Sequence, residues 1–307
     1  MPTATAIDRP TWFRLIVLSV LWGGSFLFIG VAVRELPPLT VILVRVAVAA
    51  LVLWPVLKIA GLRLPSTVSG WVPFVGMGLL NNVVPMSLIA TGQTSITAGL
   101  ASVLNATTPI FAVIILAVSG DERLTLGRIA GVALGFVGVV VVRMEAVGMT
   151  GRESLGIALC LAAALSYGLS GLWGRRMLAG IPPLVSAAGQ LTASSLVLVV
   201  LASIIEQPWT LPMPGAATLL ALLGLAVMST ALAYILFFQI LARSGAVNVM
   251  LVTLLVPVTA IILGHLLLGE ALTLSEIIGA LIIGSALLLL DGRMINAVRK
   301  ARAERAG

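Results

Sequence analysis

The stretch that looks most ready for covalent chemistry is Gly168-Leu169-Ser170-Gly171, read together with His265, the only histidine of the chain. A serine beside a histidine base makes a nucleophile pair, the chemistry of an intramembrane serine protease, with Ser170 attacking and His265 taking its proton. The surrounding sequence argues against this. Ser170 sits in ALSYGLSGLWGRRMLAGIPPL, which echoes an earlier segment, SVLWGGSFLFIGVAVRELPPL, pairing Gly23 with Gly168, Ser25 with Ser170 and Pro37-Pro38-Leu39 with Pro182-Pro183-Leu184. A serine present in both copies answers to the repeat, and His265, near the outer end of the ninth apolar run, falls on the opposite side of the membrane from Ser170. A lone histidine and a lone cysteine, Cys160, make no metal site. No catalytic residue, metal or cofactor is assigned.

The remaining polar residues inside apolar stretches favour binding over bond-making. They are Trp22, Ser25, Asn81, Asn82, Asn105, Tyr167, Ser170, Thr230, Tyr234 and Asn248, with Arg45 as the one cation among them. Asparagine offers a donor and an acceptor together, and Trp22, Tyr167 and Tyr234 add aromatic faces, a set suited to a neutral or zwitterionic small molecule. Serine and threonine equally serve close helix contact, and an asparagine is costly to leave unpaired in lipid. Arg45 has two readings: contact with a substrate carboxylate, or snorkelling to an interface. Every Asp and Glu falls in a tail, a loop or the end of an apolar run. Proton and sodium coupling generally use a buried carboxylate, so no obvious ion-coupling site is expected.

These residues must be held by membrane-spanning helices. The 307 residues are 60% hydrophobic and 9% charged, against about 25% charged in an ordinary soluble domain. Ten apolar runs long enough to cross a bilayer are read near residues 12–33, 39–57, 70–92, 96–118, 124–142, 155–174, 182–205, 216–240, 245–268 and 272–290. The first run has its counterpart in the second half of the chain, so it is read as a retained helix and not as a cleaved signal. Very short turns join the third run to the fourth and the eighth to the ninth.

The net charge of +7 is a topology signal and not a nucleic-acid footprint. Of the eighteen basic residues, only Arg34, Arg45, Arg143 and Arg152 lie outside the segments that are cytoplasmic when the N-terminus is. The positive-inside rule therefore places both termini in the cytoplasm. The expected setting is the cell inner (plasma) membrane, with the lipid bilayer and a small-molecule substrate as partners, no nucleic acid, and function as a monomer.

The chain is a duplication. PIFAVIILAVSGDERLTLGRIAGVALGFVGVVVV, from Pro109, aligns without a gap on PVTAIILGHLLLGEALTLSEIIGALIIGSALLLL, from Pro257. Five spans per copy is an odd number, so the copies enter the membrane from opposite faces, the inverted repeat typical of secondary carriers. The paired prolines fall within the fourth and ninth spans and mark symmetric breaks, candidates for gating. Thr273 with Glu276 fits a capping box, and Glu122 and Glu270 mark the approach to the fifth and tenth spans. The segments are a cytoplasmic 1–11, a first repeat 12–143, a linker 144–153, a second repeat 154–290 and a basic tail 291–307.

The paired W/Y-G-x-S segments, PPL after the first span of each half, Arg45, and PxxA followed by E-x-L-T-L in both halves resemble the EamA-type proteins of the drug/metabolite transporter superfamily. The resemblance implies an all-α fold of ten helices in two inverted five-helix repeats around a central cavity. It also implies export of small metabolites, with amino acids, aromatic ones included, as the expected class. Alternating access is the expected mechanism. A passive channel or non-transporting receptor is the second reading.

Overall fold

The computed structural model describes residues 9–121, 125–142, 151–249 and 251–291, excepting the side chains of 242, 244–249 and 291. Among them lie ten helical segments and no strand: α1 Arg9–Ala32, α2 Pro38–Ile59, α3 Ser69–Gly92, α4 Ala98–Val118, α5 Leu126–Val142, α6 Gly151–Met177, α7 Pro183–Ile205, α8 Ala216–Val249, α9 Val252–Leu268 and α10 Leu274–Asp291. Seven are long and apolar enough to cross a membrane on length and composition, and α5, α9 and α10 are shorter apolar helices. Glu122, most of the expected linker and the basic tail lie outside the described residues; α6 already begins at Gly151, inside the stretch read as linker.

The two halves are interleaved. Contacts run between the halves in symmetric pairs: α2 packs on α7, α5 on α10, α1 on α8 and α9, and correspondingly α6 on α3 and α4. The paired glycines explain the last two contacts. A Cβ on Gly23 would lie 2.9 Å from the Ala260 backbone nitrogen, and one on Gly168 would lie 3.1 Å from that of Ala112. Ala112 and Ala260 are repeat mates, so the same backbone-to-backbone crossing occurs twice, made possible by a missing side chain.

The end of the bundle away from the termini is clasped by carboxylates that reach across the halves. Glu206, closing α7, accepts from the Leu39 and Thr40 backbone N–H groups at 2.9 and 2.6 Å and from the Thr40 hydroxyl at 2.7 Å. Pro38 opens α2 and has no N–H of its own, so Glu206 caps the donors that follow it. Glu35, after α1, accepts from Gly215 N at 2.7 Å where α8 begins. Glu270, after α9, accepts from Ala98 and Gly99 at 3.0 and 3.2 Å where α4 begins. Glu270 was expected to mark the start of α10; it instead caps α4 of the other repeat. The reciprocal pair Thr273 N to Glu276 Oε2 at 2.7 Å and Glu276 N to Thr273 Oγ1 at 3.3 Å is the capping box read from the sequence.

Two expectations about helix breaks are corrected. The eighth and ninth spans were expected to meet at a tight turn near 245, yet the backbone stays helical from Ala233 to Val249 and α9 starts at Val252. In the first half, Thr97 caps α4 through Leu100 N at 3.1 Å; its repeat mate is Gly245, which has no side chain to cap with. The prolines do not break their helices alike. α4 is interrupted between Asn105 and Thr108, ahead of Pro109, whereas α9 runs on through Pro257. In α4, Thr107 and Thr108 donate to the Leu104 and Asn105 carbonyls at 2.6 and 2.8 Å, holding the interruption. Their mates in α9, Leu255 and Val256, have no hydroxyl.

Removing the Glu206 clasp uncaps α2. Glu206→Ala is expected to lower stability by about 0.5–2 kcal/mol, read as a fall in melting temperature of the detergent-solubilised protein, while Glu206→Gln, which keeps an acceptor, falls less. Equal stability of all three proteins would show that the cap carries no weight.

Candidate functional site

The centre of the bundle is built from two widened helical turns that the sequence did not flag. α3 contains a π-turn at Leu79–Val83 and α8 one at Gly224–Leu232. Such a turn carries an extra residue and releases backbone carbonyls from the regular ladder, a frequent feature of functional sites. The two turns are repeat mates, since Asn82 corresponds to Thr230. The released groups are met by hydroxyls: Ser166 of α6 donates to the Leu80 carbonyl at 2.8 Å, and Thr230 to the Leu225 carbonyl at 2.8 Å.

A polar side chain from the second helix of the opposite repeat meets each turn. Arg45 of α2 donates from Nε to Thr230 Oγ1 at 2.9 Å. Its mate, Gln190 of α7, accepts through Oε1 from Asn81 at 3.0 Å and, more weakly, from Asn82 at 3.5 Å. Asn81 also donates to the Tyr234 hydroxyl at 3.0 Å and accepts from Ser170 at 3.2 Å. Asn82 donates to Ser194 at 3.0 Å. The network thus joins α2, α3, α6, α7 and α8 across both repeats.

Within this network the sequence-derived candidates divide by what their polar atoms already do. Asn82 is fully buried and Ser25 gives its proton to the Trp22 carbonyl at 2.6 Å, so both are committed to the protein. Ser170 is buried and shared between Asn81 and the Tyr167 carbonyl. Asn81, Tyr167, Tyr234 and Trp22 remain partly accessible. Trp22 lies against Phe237 with ring centroids 5.5 Å apart, and Tyr234 stacks on Phe238 at 6.0 Å. Phe237 and Phe238, missed in the sequence among many apolar neighbours, extend the aromatic wall. Asn248 is helical, but its side chain lies outside the described residues.

Four groups have bonding capacity to spare. Arg45 is 7% exposed and does not snorkel; beyond its Nε bond, its Nη groups have no hydrogen-bond partner and no carboxylate pairs with it among the described residues. It interacts electrostatically with Tyr167 and Tyr234. The Asn105 side-chain amide oxygen, Oδ1, at the interruption of α4, and the Ser229 hydroxyl, in the α8 π-turn, are buried with no partner among the described residues. The Tyr167 hydroxyl likewise has none among the described residues. A buried guanidinium without a counter-charge is an anion receptor, because a bound anion removes the cost of the lone cation.

The other candidates fall elsewhere. His265 lies at the far end of α9 with its ring exposed, Nδ1 2.9 Å from the Glu270 carbonyl. Ser170 bonds to Asn81 and not to a histidine, so the geometry supplies no nucleophile–base pair. No cluster of metal-binding side chains occurs among the described residues.

An all-helical inverted repeat with a polar core crossing between the copies defines a membrane transporter. The EamA-like transporter family matches residues 11–144 and 154–290, and the chain belongs to that family. It is 26% identical to the uncharacterized transporter YoaV of Bacillus subtilis over 88% of this chain and 92% of that one. It is 28% identical to a probable amino-acid metabolite efflux pump of Salmonella typhimurium over 92% and 94%. A transporter of Escherichia coli, YedA, described as an inner membrane protein, is 24% identical over 87% and 86%. A solved crystal structure aligns over 94% of this chain and 98% of its own with a TM-score of 0.66 at 19% identity, a likeness of fold alone. The protein is a multi-pass membrane transporter acting on a small molecule.

The buried amide bonds can be weighed directly. A double-mutant cycle between Asn82→Ala and Ser194→Ala is expected to give a coupling of about 0.6 kcal/mol, the mean for hydrogen bonds between membrane helices. A coupling indistinguishable from zero in thermal unfolding would remove Asn82 from the framework of the site.

Proposed function

We propose that the protein exports small zwitterionic or neutral metabolites, amino acids with aromatic ones among them, from the cytoplasm by alternating access. The observation that carries the reading is Arg45: a buried guanidinium, held at one edge by Thr230, with its Nη groups and the neighbouring Tyr167 hydroxyl uncommitted. An α-carboxylate fits the guanidinium in a bidentate pair. The Asn105 oxygen and the Ser229 hydroxyl are buried acceptors available to an ammonium group, and Trp22, Phe237, Tyr234 and Phe238 offer ring surface to an apolar side chain. The name of the Salmonella typhimurium relative, an amino-acid metabolite efflux pump, supports the substrate class.

In this reading both termini face the cytoplasm, so the carboxylate clasps close the outward end. Opening outward separates Glu206 from α2, Glu35 from α8 and Glu270 from α4. The interruption before Pro109 in α4 and the segment of α9 around Pro257 serve as the moving elements. The carrier works as a monomer and without ion coupling, since the described carboxylates are engaged at helix ends.

Counterflow in liposomes tests the proposal, using a panel of amino acids that includes the aromatic ones. Wild type is expected to show saturable exchange that is indifferent to imposed proton and sodium gradients. Arg45→Met is expected to lower the exchange by about ten-fold or more, the loss of one charge-assisted pair, and Trp22→Ala to reduce exchange of aromatic substrates most. Non-saturable flux would make the protein a channel. Undiminished exchange by Arg45→Met would remove the carboxylate contact from the proposal.

A further inference from the structure

The pseudo-symmetry also fails between the last two helices of each half. In the first half, α5 leans on α4: Gly135 receives Ile110, and Phe136 meets Phe111 edge-on with centroids 6.1 Å apart. The corresponding positions in the second half are Ile283 with Val258 and Gly284 with Thr259. The large residue now sits where the glycine was, and the glycine sits where the phenylalanine was. Between α9 and α10 there is consequently a cavity of about 640 Å³, lined by Val258, Ile261, Ile283, Gly284, Leu287 and the Pro257 ring, with α4 at its back. A Cβ placed on Gly284 meets nothing within 4 Å.

We propose that this cavity is a binding site for one acyl chain of a phospholipid whose headgroup donates hydrogen bonds, ethanolamine being the type. The lining is overwhelmingly apolar, and the helices that frame it turn large aliphatic side chains outward: Val258 is 52% exposed, Ile262 50% and Leu281 67%. In a protein that crosses a bilayer, these faces meet hydrocarbon. An apolar gap open to hydrocarbon fills with chain, because water has no partners there and an empty gap forfeits dispersion contacts. From Thr253 to His265 the lining of α9 extends about 18 Å at helical rise, and one leaflet of a bilayer core is about 15 Å thick.

The polar end of the cavity fixes which part of the lipid goes where. His265 and Glu270 lie there, at the end of α9. The Glu270 carbonyl oxygen can only accept, so His265 Nδ1 donates to it, and in the imidazole form of the ring Nε2 is left to accept. The Glu270 carboxylate is already engaged with α4. An acceptor at the interface selects a headgroup with N–H donors over choline, which has none.

The test is photocrosslinking of the full-length protein in liposomes, with phosphatidylethanolamine bearing a diazirine in one acyl chain and adducts mapped by mass spectrometry. Adducts are expected to concentrate on the α9 and α10 segments that line the cavity. Gly284→Phe installs the residue its repeat mate has and fills the space; it is expected to cut those adducts roughly ten-fold while sparing adducts elsewhere on the lipid-facing surface. Gly284→Ala provides a milder variant with an intermediate effect should the larger one fail to fold. His265→Ala is expected to abolish the preference over the phosphatidylcholine probe. Adducts spread evenly over the outer faces, or undiminished by both Gly284 variants, would overturn the site. Equal labelling of wild type by the choline lipid would overturn the headgroup assignment. Stronger labelling by a diazirine fatty acid, or competition by an amino acid, would overturn the phospholipid as occupant.

Discussion

Everything in this molecule depends on the rule that a polar group inside a bilayer must be answered by the protein itself. The chain has few polar groups in its apolar segments; its serines and threonines mostly bond to carbonyls of their own helix, whereas its guanidinium and its central amides pair across the boundary between the repeats. Arg45 reaches Thr230, Asn81 and Asn82 reach Gln190, and Asn82 also reaches Ser194, all between halves. The same is true of the helix ends, where Glu35, Glu206 and Glu270 cap helices of the other repeat. Neither half can satisfy its own polar groups alone. In the alternating access proposed above, the interface that rearranges is therefore also the one that holds the protein together.

That coincidence has a mechanical consequence. Between helices, a hydrogen bond in a membrane contributes only about 0.6 kcal/mol on average, so exchanging one inter-repeat bond for another is inexpensive. In the proposed function, a substrate carboxylate would pair with the Arg45 Nη groups without displacing a protein partner. The π-turns support such exchange, because a widened turn leaves carbonyls whose partners are side-chain hydroxyls and not the rigid helical ladder.

Much of the architecture was legible from paired residues. Gly23 and Gly168 predict two equivalent close crossings because only a missing Cβ allows them, and the two Pro-Pro-Leu segments predict two equivalent helix starts. The functional centre was legible in its residues and less so in its geometry. Asn81, Asn82, Arg45, Tyr234 and Ser170 do meet, as polar residues in lipid must. The π-turns went unread because Leu79–Val83 contains no proline or glycine to mark it. The carboxylate clasps went unread because each acid's partner lies more than 160 residues away in the chain. The prolines invited an expectation of symmetric breaks, but the interruption of α4 is held by Thr107 and Thr108, for which α9 has only Leu255 and Val256.

The central claim is that the uncommitted groups around Arg45 line a water-accessible path that the substrate occupies. The most direct measurement is labelling of Tyr167→Cys by a water-soluble thiol reagent, in a background where the sole native cysteine, the buried Cys160, is alanine. The account predicts that the new cysteine reacts and that a transported amino acid protects it. A cysteine that never reacts, while the same protein still exchanges substrate, would mean that this polar centre is sealed packing and that the path lies elsewhere.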